Sequence, residues 1–88
     1  MQVIVTRQFE KDVSKELNKS LQLQLADIIE QLQKVRSIQD VQHIKKLKGY
    51  KNAYRLKLLD YRIGFILEEN TINLSRVMHR KEIYRYFP

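Results

Sequence analysis

The chain has 88 residues, 43% of them apolar and 31% charged, which predicts one small globular domain over residues 1–88 and not a disordered segment. It has no cysteine, which excludes a disulfide framework, a thiolate nucleophile and a cysteine-based zinc site. The apolar stretch at the start is too short for a signal peptide, and no apolar run approaches the roughly 18 residues that would span a membrane. We therefore expect a cytoplasmic protein.

Charge is distributed unevenly along the chain. Residues 1–44 hold six lysines and arginines and six acids, whereas residues 45–88 hold eleven and four, so the second half carries the whole net charge of +7. Such a basic surface fits nucleic acid, an acidic membrane surface or an acidic protein as a partner. The long predicted helix described below has a polar face rich in glutamine and mixed in charge, which argues against a membrane-surface role.

The chain begins with a predicted strand and a predicted helix. Residues 2–5 are β-branched and indicate a short strand, and Thr6 is suited to cap a following helix. The charged residues of the helix, Asp12 among them, are expected on its solvent face. Its apolar residues recur at helical spacing, at Phe9, Val13 and Leu17.

A second, longer helix follows after a short break. The break is predicted at residues 18–20, with Ser20 as the cap of the new helix. Apolar residues then mark one helical face from Leu21 to Val35. The two helices are expected to form a hairpin with a short loop.

The second half of the chain predicts strands. From residue 54 onward apolar and polar residues alternate with a period of two, which is typical of half-buried strands. This pattern predicts strands over residues 54–58 and 61–67, joined by a tight turn at Asp60, and a last strand that begins near Ile72.

The segments between these elements are less regular. Residues 37–53 are expected to form a connector, with a turn at Gly49. Residues 68–70 predict a hairpin turn in which the asparagine adopts a positive φ. The alternation slips near Ser75 and Arg76, which predicts a β-bulge there, and the tail is expected to form a helical turn or coil.

The order of these elements indicates an α+β fold. An N-terminal strand and a helical hairpin would pack on one face of a mainly antiparallel twisted sheet. The opposite face, which carries Arg55, Lys57 and Arg62, is then predicted to be left for water or a ligand.

The cations of this face suit a phosphate ligand. Arg55 and Lys57 are two residues apart on one strand and share a face, and Arg62 follows across a tight hairpin. Arginine offers a planar fork that matches two phosphate oxygens, and lysine supplies a mobile point charge. The alternative is a solvated face without a ligand, and the two readings have similar weight on this pattern alone.

Further polar residues near the end of the last predicted strand could complete a site for RNA cleavage. RNA can be cleaved without a metal when its own 2′-OH attacks the adjacent phosphate, which requires a base, an acid and cations. Lys57, His79 and Tyr84 are the candidates able to exchange protons, although a single histidine is more often structural than catalytic. Lys45, Lys46, Lys48 and Lys51 form a cationic cluster suited to contacts with the RNA backbone or an acidic partner, and Lys46, Lys48 and Lys51 are the candidate site residues among them.

Four segments of the chain resemble the RelE/ParE superfamily of toxins from type II toxin–antitoxin pairs, and together with the N-terminal elements they extend the likeness over nearly the whole chain. Each segment alone is a weak signal, but the four in this order and spacing are fairly specific. They are Lys46-Leu47-Lys48-Gly49, Tyr54-Arg55-Leu56-Lys57-Leu58, Asp60-Tyr61-Arg62-Ile63 and Val77-Met78-His79-Arg80-Lys81-Glu82-Ile83-Tyr84.

The resemblance implies a ribonuclease-like fold and an mRNA interferase that cuts mRNA, typically in the ribosomal A site, without a cofactor or metal. A cognate antitoxin would neutralise it. By position, Arg55 and Lys57 match the paired basic residues of the active strand, with Lys57 as the first candidate for the base. Arg62 and Arg80 match arginines that stabilise phosphate charge, and either Arg80 or His79 would be the acid. Tyr84 matches a C-terminal tyrosine of the family.

Two other readings stay open at this point. The ParE branch shares the fold and much of the pattern, and its members inhibit DNA gyrase without cutting RNA. The third reading is a basic RNA-binding module without catalysis. The coincidence of the cations and Tyr84 with the active positions, and the short hairpin after the first strand, favour the ribonuclease branch.

Overall fold

The computed structural model describes residues 1–88, and it confirms the predicted α+β fold. None of its helices has both the length and the apolar character needed to cross a membrane. In chain order the elements are β1 Gln2–Val5, α1 Arg7–Glu16, α2 Lys19–Lys34, a single 3-10 turn Ile38–Asp40, β2 Ile44–Lys46, β3 Ala53–Leu58, β4 Tyr61–Glu68, β5 Thr71–His79 and α3 Ile83–Tyr86.

Side-chain caps set the starts of the first two helices. The Thr6 hydroxyl accepts a hydrogen bond from the backbone N–H of Phe9 at 3.1 Å, as predicted. The cap of α2 is Asn18, whose side-chain oxygen accepts from the N–H of Leu21 at 2.9 Å. The prediction of Ser20 was therefore wrong, because Asn18 already has the extended backbone and the acceptor that a cap requires.

The five strands form one mixed sheet in the order β1-β5-β4-β3-β2. The three strands predicted in the second half of the chain, β3, β4 and β5, are antiparallel neighbours. Two features of the sheet were not predicted. The first strand, β1, pairs with β5 in parallel, and the short strand β2 adds to the edge of β3.

The inner face of the sheet, which carries Leu56, Ile63 and Leu74, packs against α1 and α2. These residues join Phe9 of α1 and Leu32 of α2 in one buried cluster. Across this face the rings of Tyr54 and Phe65 stack at 5.3 Å between centroids. The prediction that the helices cover the apolar face is thus confirmed.

Two hairpin turns of the sheet use residues with a positive φ. Leu59 (φ 53) lies in the β3–β4 turn and Glu69 (φ 56) in the β4–β5 turn. The prediction for Asn70 was therefore one residue off, because the first of the two turn residues, Glu69, adopts the left-handed conformation. Gly49 has φ 83 and forms the predicted turn before β3.

The predicted bulge lies in β5. Gly64 pairs with Arg76 whereas its neighbour Phe65 pairs with Leu74, so Ser75 is the extra residue. Strand β1 pairs only with residues 71–74 of β5. Beyond the bulge, the outer edge of β5 has no strand neighbour.

Helix α1 covers this edge through Asp12. Its carboxylate accepts from the backbone N–H of Val77 at 3.1 Å and from two nitrogens of Arg76, Nε at 2.7 Å and Nη2 at 3.1 Å. Asp12 is 4% exposed, so its predicted place on the solvent face was wrong. The hydrogen bond to Asp12 raises the pKa of Arg76 above its ordinary value, although burial opposes this.

The opposite side of the sheet, the outer face, is partly covered by the C-terminal segment, residues 83–88. Ile83 and Phe87 are buried there against Ala53, in a second small apolar cluster. A Cβ added to Gly64 would lie 2.5 Å from the Phe87 ring, so the ring rests directly on the glycine backbone. The prediction that this face is left open for water or a ligand was therefore wrong for the part under Ile83 and Phe87.

Candidate active site

Three cations of the outer face and one in the turn that follows β5 form what we call the cation patch. They are Arg55, Lys57, Arg62 and Arg80. Lys57 on β3 lies directly opposite Arg62 on β4. In the adjacent row of the same face, Arg55 lies opposite Gly64. The alternation of the strands and the tight β3–β4 turn thus bring together the three cations that the sequence placed on one face.

The guanidinium of Arg62 is oriented by the turn beside it. Its Nη1 donates to the backbone carbonyl of Leu59 at 2.7 Å and to that of Tyr61 at 2.9 Å. Nη2 and Nε remain free to donate to a ligand. The ion pairs of the chain involve none of Arg55, Lys57 and Arg62, so no carboxylate neutralises these three charges.

Arg80 joins this patch from the end of β5. Its backbone N–H donates to the carbonyl of Asp60 at 2.8 Å, which ties the strand end to the β3–β4 turn. Its side-chain Nε lies 3.8 Å from the Asp60 carboxylate. Both side chains are more than half exposed, so this ion pair is weak and a phosphate could replace the carboxylate.

His79 is directed away from the patch. It pairs with Tyr61, in a row that faces the helices, and the two rings meet edge to face at 5.6 Å. Its Nδ1 accepts from the backbone N–H of Lys81 at 3.2 Å. The expected convergence at the end of β5 therefore holds for Arg80 but not for His79, because successive residues of a strand point to opposite faces.

Tyr84 lies on the other side of the patch, in a basic cleft. The cleft has a volume of about 260 Å³ and is lined by Lys45, Lys46, Leu47, Lys48 and Tyr84. The tyrosine is 58% exposed there. Lys51 is exposed in the following loop and does not line the cleft.

Lys45, a member of the predicted cationic cluster but not a predicted site residue, lies opposite Arg55 across β2 and β3. The signal that could have predicted its position opposite Arg55 was alternation within β2. That strand has three residues, two of them lysine, which is too short for a period to be recognised.

A larger cavity of about 480 Å³ lies beside the patch, between α2 and the edge of the sheet. Lys57 lines it together with apolar residues that include Ile28, Val41 and Leu56. Polar groups at its rim include Asp40 and other side chains of the connector. No cluster of three or more His, Asp or Glu side chains that could hold a metal ion is found.

Comparison with known proteins shows the family of the chain. Residues 3–84 match the family described as ParE toxin of type II toxin-antitoxin system, parDE. The chain is 42% identical over 89 residues to "Toxin RelE3" of Methanocaldococcus jannaschii, and the match covers the whole of both chains.

Solved structures have the same fold. The RelB-RelE antitoxin-toxin complex from Methanococcus jannaschii contains a chain that matches with a TM-score of 0.82 and 39% identity, over 97% of this chain and 99% of that chain. The archaeal RelE-RelB complex from Pyrococcus horikoshii OT3 gives a TM-score of 0.73 at 20% identity, over 90% and 93% of the two chains. The resemblance seen in the sequence is thus confirmed, and the chain belongs to the ParE toxin family of type II toxin–antitoxin systems, within the RelE/ParE superfamily.

Proposed function

We propose that this toxin is an endoribonuclease that cleaves mRNA on the ribosome, in the cytoplasm, and that a cognate antitoxin neutralises it. The observation that carries the proposal is the direct pairing of Lys57 with Arg62 across β3 and β4, where neither side chain makes an ion pair with a carboxylate. Like charges directly opposite each other destabilise a sheet. Their presence is accounted for if an anion such as the RNA phosphate binds between them.

The patch can supply the groups that cleavage requires. The neutral amine of Lys57 would accept the proton of the 2′-OH, whose oxygen then attacks the adjacent phosphorus. Arg62 would donate from Nη2 and Nε to the non-bridging oxygens as charge develops on them, with Arg55 beside it. The bond to the 5′-oxygen breaks, that oxygen takes a proton, and the products are a 2′,3′-cyclic phosphate and a 5′-hydroxyl end.

Arg80 is the better placed of the two candidate acids. It lies on the same face as Arg62, because it is two residues beyond Met78, the cross-strand partner of Arg62. His79 is directed to the opposite face and packs on Tyr61. We assign Arg80 to the leaving 5′-oxygen, where it stabilises charge and donates a proton.

The basic cleft extends the proposed site along the RNA. Lys46 and Lys48 line it, and Lys51 lies in the adjoining loop. An exposed tyrosine beside lysines suits single-stranded RNA, because a base can stack on the ring while the lysines contact phosphates. Tyr84 would hold the nucleotide next to the scissile phosphate in this way.

A cognate antitoxin is supported by the relatives. The solved structures from M. jannaschii and P. horikoshii are complexes of RelE with RelB, as is the toxin-antitoxin complex RelBE2 from Mycobacterium tuberculosis. The net charge of +7 favours an acidic antitoxin segment as the inhibitor of the present chain.

The test is induction of the wild-type toxin in a bacterial host, with mapping of mRNA 5′ ends. We expect growth arrest with new cuts inside translated codons. Loss of one charge donor, in Arg62→Ala or Arg80→Ala, should lower the cleavage rate on the order of 10²–10³-fold. Arg36→Ala is the matched control, because this arginine is exposed at the end of α2 and lies outside the patch.

The second candidate function is inhibition of DNA gyrase, which is favoured by the ParE description of the matching family. It predicts arrest with intact mRNA and failure of DNA supercoiling by purified gyrase. That result would overturn the ribonuclease proposal, whereas cleavage that the patch variants abolish would overturn the gyrase one.

A further inference from the structure

The C-terminal segment lies on a row of cross-strand partners on the outer face, which runs across four strands. Lys45 of β2, Arg55 of β3, Gly64 of β4 and Arg76 of β5 are successive cross-strand partners in this row. Phe87 rests on the glycine in the middle. The segment therefore has a cation on each side, Arg55 on β3 and Arg76 on β5.

Helix α3 directs its two tyrosines to opposite ends of this row. Tyr84 lines the basic cleft beside Lys45 at the β2 end. Tyr86 lies at the β5 end, where its ring centroid is 5.4 Å from Cζ of Arg76. Residues two apart in a helix point about 200° apart, so a rotation that moves one tyrosine also moves the other.

Arg76 is held in place from a distant part of the chain. Its Nε and Nη2 make a bidentate pair with Asp12 of α1, which is itself fixed by the backbone N–H of Val77 and by Gln8. Nη2 also lies 3.9 Å from Sδ of Met78, which packs in the small cluster under the segment. These contacts hold the guanidinium in place, with its Cζ over the Tyr86 ring.

The other contacts of the segment do not select a rotation as strongly. Helix α3 is a single turn of four residues, too short to be stable alone. Ile83 and Phe87 anchor it through apolar burial, which fixes its position on the sheet at Gly64. The contact of Tyr86 with Arg76 depends on the orientation of both groups.

We propose that Arg76 is a positioning residue: held by Asp12, it fixes Tyr86 and thereby sets Tyr84 over the lysine-lined cleft. The role of Tyr84 toward RNA rests on the proposed function, but the placement of Tyr84 does not. Arg76 itself contacts none of the cation patch and acts only through α3.

The test uses Arg76→Lys in the full-length toxin, bound to no antitoxin. Lysine keeps the charge opposite Asp12, but a single ammonium cannot both pair with the carboxylate and present a flat face to the ring. We expect the NMR resonances of the Tyr84 ring to shift. We also expect KM for ribosome-bound mRNA to rise about threefold to tenfold with a smaller change in kcat, in line with loss of one partly exposed cation–π contact.

Tyr86→Leu provides a second route to the same result, since it removes the ring and leaves the Asp12–Arg76 pair untouched. Its effect on KM should not add to that of Arg76→Lys, because both variants break the same contact between residues 76 and 86. Arg85→Lys is the matched control on the same segment, where the arginine meets only Glu82, at 3.7 Å. It should leave the Tyr84 resonances and KM unchanged.

The outcomes separate this inference from the proposed function. Unchanged Tyr84 resonances in both Arg76→Lys and Tyr86→Leu would overturn the positioning role, whatever the cleavage assay shows. Additive effects of the two variants on KM would overturn it as well. If the resonances shift but the wild type cuts no RNA, the positioning role stands and the ribonuclease proposal fails.

Discussion

Replacing Gly64 with alanine should strain the packing of the C-terminal segment on the sheet. The new Cβ would lie 2.5 Å from Cγ and Cδ2 of Phe87 and 2.8 Å from its Cε2. Carbon atoms pack at about 3.5–4.0 Å, so the ring has to move by about 1 Å or more. Phe87 is 4% exposed, and a ring with little space around it cannot move so far without losing contacts.

Two limiting responses of the structure set the expected loss of stability in Gly64→Ala. If the ring stays and the sheet yields, overpacking costs about 1–3 kcal/mol. If the ring leaves, the cost approaches the roughly 3–5 kcal/mol of deleting a buried phenylalanine. The molecule will adopt the less costly response, so Gly64→Ala should lower the free energy of unfolding by about 1–3 kcal/mol.

The effect of Gly64→Ala on the free energy of unfolding should change sign when the Phe87 ring is absent. In a Phe87→Ala background the clash is gone, and alanine should stabilise a strand interior by about 0.5–1 kcal/mol relative to glycine. Urea unfolding followed by far-UV circular dichroism would give all four free energies of the double-mutant cycle. The expected coupling is about 1.5–4 kcal/mol.

Gly49→Ala is the matched control for this cycle. Its Cβ would meet no atom within 4 Å, and only the φ of +83 opposes the substitution. Its cost, about 1 kcal/mol from backbone strain, should be the same with and without Phe87. A Gly64→Ala variant that is equally destabilised in both backgrounds would refute the close packing of Phe87 on Gly64.

Three further predictions concern the helices and the basic surface. Asp12→Ala should destabilise the fold by about 3–5 kcal/mol, because Arg76 loses its partner at a largely buried position. The control Glu10→Ala, at an exposed position, should change stability by no more than about 0.5 kcal/mol. Equal effects of the two variants in thermal unfolding would contradict the buried pair. Asn18→Ala should cost about 1 kcal/mol of stability and Ser20→Ala only a few tenths, and the reverse order would restore the cap first predicted. Lys48→Ala should weaken binding of non-cleavable RNA and reduce its salt slope by about 0.7, and an unchanged slope in fluorescence anisotropy would place this lysine away from phosphate.

Local sequence patterns were sufficient to predict the strands that form the site. Strand alternation around Lys57 and Arg62 predicted both the hairpin and the shared face of these cations, because side-chain direction in a strand depends only on residue parity. The bulge at Ser75 was visible for the same reason, as a break in that parity. Family resemblance named Arg80 and Tyr84, but no pattern in the chain showed how either reaches the outer face.

The errors of prediction come from partners that are distant in the sequence. Asp12 has the polarity of a solvent-facing residue and is buried only because Arg76, 64 positions later, meets it at the edge of β5. Strand β2 has no recognisable period and exists through its pairing with β3. His79 was grouped with Arg80 because the two are adjacent, although adjacency in a strand places side chains on opposite faces.

The sequence by itself determined the family, the helices and strands other than β2, and the cations of the outer face, because motif spacing, periodicity and charge are properties of the chain. Only the tertiary structure decided that Lys57 and Arg62 make no ion pair, that Asp12 holds Arg76, and that the C-terminal segment lies across the sheet. These features depend on which surfaces meet after folding, and burial of Phe87 on Gly64 is favourable only when strands and tail are already in place.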